Sequence, residues 1–96
     1  MKLVQEYNQP KVKVVIKSKG QDTEFFKLVD TTFEEVVSMV SRVINGLNLS
    51  PIKSGFVTSV EIIDEDEKGK RIQSTTISFY NYSVGSTCGE LLANIQ

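Results

Sequence analysis

The sequence predicts an α+β fold: a two-layer sandwich with a four-stranded antiparallel sheet, element order ββαββα, and both helices on one face. Three observations carry that prediction. From Phe33 to Leu47 the apolar residues Phe33, Val36, Val37, Val40, Val43, Ile44 and Leu47 recur at helical spacing and form one stripe. On either side lie pairs of segments that alternate with a period of two. Each pair is punctuated by a glycine, Gly20 or Gly69, where a hairpin tip belongs. A sheet with one apolar face needs a partner layer, and amphipathic helices supply it.

The chain has 96 residues, which is one domain, and it buries enough surface to fold without disulfides or a structural metal. Residues 1–10 read as an N-terminal arm ending at Pro10, and residues 11–96 as a single α+β domain. Leu3, Val4 and Tyr7 are the arm's docking residues, with an extra edge strand as one way to dock.

The first strand spans Lys11 to Lys19. Val12, Val14 and Ile16 point one way; Lys11, Lys13, Val15, Lys17 and Lys19 point the other. The second spans Thr23 to Asp30, with Phe26 and Leu28 on one face and Phe25, Lys27 and Val29 on the opposite one. A one-residue slip would flip every side chain. The apolar faces coincide with a three-residue loop, Gly20-Gln21-Asp22, which sets Val14 opposite Leu28 and Ile16 opposite Phe26, or with a five-residue loop.

The helix starts at Thr31 or Thr32. Thr32-Phe33-Glu34-Glu35 is a capping box, and both glutamates suit the positive end of the helix dipole. Asn45-Gly46 marks its end, with a left-handed cap expected at Gly46 and Leu47 packing back. The β-branched residues of its stripe lower helix propensity, so the helix depends on burial.

A loop through Pro51 leads to a third strand, Phe56 to Asp64, and a fourth, Arg71 to Tyr82. A Glu67–Lys70 connection aligns Thr58 with Phe79, Val60 with Ile77 and Ile62 with Thr75. It also sets Asp66 opposite Arg71 and Glu67 opposite Lys70. Ser86 or Thr87 then caps a short helix whose apolar residues are Cys88, Leu91, Leu92 and Ile95. The two hairpin-plus-helix units suggest an internal duplication.

Composition narrows the chemistry. A formal net charge of −1 points to neither nucleic acid nor an anionic membrane. There is no histidine, so the commonest general base and metal ligand is missing. A single cysteine, Cys88, forms no internal disulfide, which fits a reducing, cytoplasmic setting. The first residues lack a signal-peptide pattern, and no apolar run approaches the ~20 residues of a bilayer span. The triplets Asn48-Leu49-Ser50 and Asn81-Tyr82-Ser83 resemble glycosylation acceptors, and without a secretion signal they read as chance.

Four features remain as candidates. The lysine row Lys11, Lys13, Lys17 and Lys19, with Lys27 beside it, spans roughly 26 Å at about 3.3 Å per residue. It suits either a phosphate track or a solvated face protected from aggregation by lysine, and the second use is commoner. The same outer face carries Val15, Val29, Val57, Ile63, Ile72, Phe25 and Tyr80, more apolar surface than solvation needs, which suits equally a contact surface or a cover formed by the N-terminal arm. The acidic run Asp64-Glu65-Asp66-Glu67 followed by Lys68-Gly69 fails as a calcium loop, because Lys68 and Thr75 stand where oxygen ligands belong. Around Gly85-Ser86-Thr87-Cys88-Gly89-Glu90, a thiol in the first helical turn has no histidine to activate it. Phosphate loops, dinucleotide fingerprints and zinc patterns are absent from the sequence.

The resulting expectation is a small non-enzymatic accessory protein without cofactor or metal. It binds a protein partner or itself, as a homodimer, through Val15, Lys17, Phe25, Lys27, Val57 and Tyr80, and no membrane is involved. The alternative is nucleic-acid binding along Lys11, Lys13, Lys17, Lys19 and Lys27.

Overall fold

The computed structural model describes residues 1–4, 8–46, 57–80 and 83–95. In chain order the elements are β1 (Lys2–Val4), β2 (Lys11–Ser18), β3 (Glu24–Val29), α1 (Phe33–Gly46), β4 (Val57–Glu65), β5 (Arg71–Tyr80) and α2 (Val84–Ala93). Tyr7, Leu47, Pro51, Phe56 and Tyr82, and with them the two Asn triplets as wholes, lie outside the described residues, as do the side chains of Val57 and Tyr80.

The strands form one antiparallel sheet in the order β1-β3-β2-β4-β5. The expected four strands are β2 to β5. The fifth corrects the strand count: Lys2, Leu3 and Val4 pair with Val29, Leu28 and Lys27. Three residues are too few to show alternation in a sequence, yet they satisfy backbone groups that β3 would otherwise leave at an edge.

The first strand of each hairpin lies inside the sheet. There β2 and β4 pair, with Val14 opposite Ile62 and Ile16 opposite Val60. Helix α1 packs over β4, and α2 packs over β2. Each helix thus covers the first strand of the other hairpin, a reciprocal arrangement that suits the duplicated pattern. Between the layers sits one core of Val12, Val14, Ile16, Leu28, Val36, Met39, Val40, Ile44, Val60, Ile62, Phe79, Val84 and Leu91. Because both helices contribute to that core, they share one face of the sheet. Burying such a side chain contributes about 1.5–3 kcal/mol, largely offset by chain entropy.

The second hairpin has the expected register along most of its length: Thr58 faces Phe79, Val60 faces Ile77 and Ile62 faces Thr75. Towards the tip a bulge inserts one residue, so Asp64 faces Gln73 while Glu65 faces Arg71. The expected Asp66–Arg71 and Glu67–Lys70 pairs are therefore not formed. Instead the Asp66 N–H donates to the Lys70 carbonyl and the Gly69 N–H to the Asp66 carbonyl, each at 2.9 Å. Gly69 takes a φ of +82°, and Asp66 Oδ1 accepts from the Lys68 and Lys70 amides, both at 2.9 Å.

The first hairpin is displaced by two residues from the three-residue-loop register and has the register of the five-residue alternative. Val12 faces Leu28, Val14 faces Phe26 and Ile16 faces Glu24. A two-residue shift keeps every side chain on its face, so the apolar pattern does not resist it. The turn decides: the Gln21 N–H donates to the Ser18 carbonyl at 3.1 Å, with Gly20 inside the turn at φ +80°.

Helix α1 has the expected start. The Glu35 N–H donates to Thr32 Oγ1 at 3.1 Å, while the Thr31 hydroxyl donates to Glu35 Oε2 at 2.9 Å. Its end differs, because Gly46 remains within the last helical turn and takes no left-handed φ. Helix α2 begins about one turn earlier than expected. Ser83, rather than Ser86 or Thr87, is the cap, and its Oγ accepts the Ser86 N–H at 3.1 Å. The Val84 N–H donates to Gln21 Oε1 at 2.8 Å. Two orphan amides are satisfied there, which sets the start despite Gly85 in the first turn.

Candidate contact surface on the outer sheet face

The face away from the helices is built by the opposite parity of the same strands. On β2 it carries Lys11, Lys13, Val15 and Lys17, on β3 Phe25, Lys27 and Val29, and on β4 Ser59, Glu61, Ile63 and Glu65. On β5 the hydroxyl side chains Ser74, Thr76 and Ser78 are exposed.

Its charges are arranged as cross-strand pairs. Glu61 lies between two cations, with Lys17 Nζ 3.7 Å from Oε1 and Arg71 Nη1 3.5 Å from Oε2. Lys17 and Arg71 are both more than half exposed, so these pairs contribute little to stability. Nearer the hairpin tip of β4 and β5, Lys27 Nζ lies 3.3 Å from Glu65 Oε1, an ion pair largely withdrawn from solvent. The contact is electrostatic, since that oxygen has no aligned hydrogen bond. Lys11 stands opposite Glu65 and is only 3% exposed.

Beneath and between these pairs Val15, Val29 and Ile63 are buried. Phe25 is not: it is 60% exposed, with Lys13 Nζ 4.5 Å from its ring centroid. That is a cation–π contact on a solvent-facing ring. Ile72, at the bulge, is 62% exposed.

The interaction residues expected from sequence thus divide. Phe25 and Lys17 stand at the surface, whereas Val15 is buried and Lys27 is engaged with Glu65. Val57 and Tyr80 are cross-strand neighbours in the backbone. Of the lysine row, Lys19 is exposed, Lys13 covers Phe25, Lys17 and Lys27 meet glutamates, and Lys11 is buried. Reading strand one alone missed Glu61 and Glu65. Their signal was present in the alternation of the third strand, but using it required knowing that this strand lies beside the lysines.

The remaining candidates are absorbed by structure. Asp64 Oδ2 accepts from Gln73 Nε2 at 3.0 Å, Glu65 meets Lys27, and Asp66 closes the turn. The Lys70 amide holds the Asp66 carboxyl below its ordinary pKa, against desolvation and with help from the Lys68 amide and the charges of both lysines. Among the described residues no group of His, Cys, Asp and Glu could hold a metal ion. Cys88 lies in the second turn of α2 rather than the first. Burial, followed by the neighbouring Glu24 carboxylate, pushes its thiol pKa up, the reverse of what a nucleophile needs. Among the described residues no helix is long and apolar enough to cross a membrane.

No protein-family model matches this chain, and no curated protein or solved structure does either.

Proposed function

We propose that this is a small non-enzymatic accessory protein that binds another protein or itself through the outer face of its sheet, with Phe25 as the anchor. The observation that carries the reading is the Phe25 ring. It is a large apolar group held at the surface under the Lys13 ammonium, while the valines around it are buried. Interfaces are enriched in aromatic anchors ringed by polar groups, and here Lys17, Glu61 and Arg71 supply a polar surround on the same face. The raised thiol pKa of Cys88 and the lack of histidine support a binding role over catalysis. The neutralisation of Lys17 and Lys27 by glutamates weighs against a phosphate track, which needs uncompensated cations. The lone cysteine suits a cytoplasmic site of action.

The test compares the wild type with Phe25→Asp, by capture of partners from the native host and by solution mass. The expected result is loss of an interaction in the variant with its fold intact. If the wild type stays monomeric at high concentration and Phe25→Asp alters no interaction, the reading is wrong. Binding to DNA or RNA that falls steeply with salt and is lost in Lys13→Glu/Lys17→Glu would establish the phosphate track instead.

A further inference from the structure

One edge of the sheet differs from the other. At the β1 edge the terminal strand has three residues, one of them Lys2. At the opposite edge β5 has ten, and among the described residues no strand follows it in the sheet order. Sheet edges are ordinarily blunted by shortness, charge, proline or bulges. In β5 the bulge and the sole charge, Arg71, are confined to the first residues. From Ile72 to Ser78 the sequence Ile-Gln-Ser-Thr-Thr-Ile-Ser holds no charge and no proline. It is rich in Thr and Ile, which favour strands. The helices make their main contacts with β4 and β2.

We infer that the β5 edge is a strand-pairing site whose partner is the β5 edge of a second copy, joined antiparallel across a two-fold axis into a continuous sheet. Pairing of this kind is isologous, so one segment serves both sides. Centred on the middle of the uncharged run, it sets Thr75 against Thr75, Ser74 against Thr76 and Gln73 against Ile77. Hydroxyl pairs across strands are favourable. The charge pattern selects the direction. Antiparallel pairing holds the two Arg71 side chains about 27 Å apart, at about 3.4 Å per residue, whereas in-register parallel pairing would set them side by side. This inference goes beyond the outer-face reading: it concerns the backbone edge and leaves Phe25 free for a different contact.

Sedimentation equilibrium of the intact chain and its variants provides the test. The wild type should show a dimer of twice the 10.7 kDa chain mass. Ser74 and Thr76 are both exposed, so their substitution leaves the fold intact, which circular dichroism verifies. In Ser74→Lys/Thr76→Lys, like charges meet twice across the axis, and dimerisation should weaken at least about tenfold. In Ser74→Lys/Thr76→Glu each lysine meets a glutamate of the other copy, and the dimer should return. A wild type that is monomeric at every concentration overturns the inference. So does a dimer that the double-lysine variant leaves unchanged, or one that the Lys/Glu variant fails to restore. A dimer lost in Phe25→Asp but kept in the double-lysine variant would assign self-association to the outer face and remove it from the edge.

Discussion

The two faces of the sheet are made by the same strands and differ by one residue of phase, yet they solve different problems. The inner face is buried and mostly apolar, with Val14, Ile16, Val60 and Ile62 fully buried beneath the helices. The outer face mixes buried valines with Glu61, Glu65 and their cations, and it keeps Phe25 in solvent. The inner face is therefore where the fold gains its stability. On the outer face Lys11, Val15, Val29, Ile63 and Glu65 are also buried, and the exposed part is the stretch around Phe25, Lys17 and Arg71, which is the part proposed for contact.

The largest effect should come from the inner face. Ile62→Ala opens a cavity beneath the helices and should cost about 2–5 kcal/mol, read from urea unfolding. A loss below about 1 kcal/mol would mean that the helices do not seal this layer.

Next comes a buried charged group of the outer face. Glu65→Gln keeps the shape and removes the charge, leaving the Lys27 ammonium and the buried Lys11 without that carboxylate. The expected loss is about 1–3 kcal/mol, with little change for Glu61→Gln, whose partners are mostly exposed. Equal losses at the two positions would erase the distinction between the buried and the open parts of this face.

A smaller effect of opposite sign belongs to Thr87. Its hydroxyl is fully buried on the helix side and has no hydrogen-bond partner among the described residues. Thr87→Val keeps the shape and removes the unsatisfied group, so stability should hold or rise by about 1 kcal/mol. A marked fall in the urea midpoint would reveal a partner for the hydroxyl.

The smallest effect is at the tip of the second hairpin. The folded Asp66 carboxyl has a pKa below its ordinary value of 3.8. Its contribution is therefore complete above the unfolded pKa and is lost as pH falls through the folded one. Acid unfolding of Asp66→Asn should show a shallower loss of stability in that range than the wild type. Identical acid profiles would remove the turn from the account.

How far the sequence could be read follows from the same asymmetry. Alternation against the helical stripe revealed the inner face, α1 and the register of the second hairpin, because misplacing Val60 or Ile62 by one residue would expose an apolar row. Period two is blind to a shift of two, so three- and five-residue loops fit the first hairpin equally until the turn at Gly20 decides for the longer one. Lys2–Val4 is too short to carry a pattern, and Gly85 hid the first turn of α2, whose start relies on Ser83 and on the distant Gln21. On the outer face Phe25 and Lys17 were legible as surface residues. The burial of Val15 and the pairing of Lys27 were not, since both depend on β4 lying beside β2.

The free energy of unfolding of Phe25→Asp, measured by urea titration, tests the central claim most directly. If the ring serves contact and not folding, the variant should lose no more than about 1 kcal/mol, the scale of an exposed cation–π contact and a strand preference. A loss as large as that of Ile62→Ala would show that the ring helps hold the fold together, and the outer face would lose its standing as a surface kept for a partner.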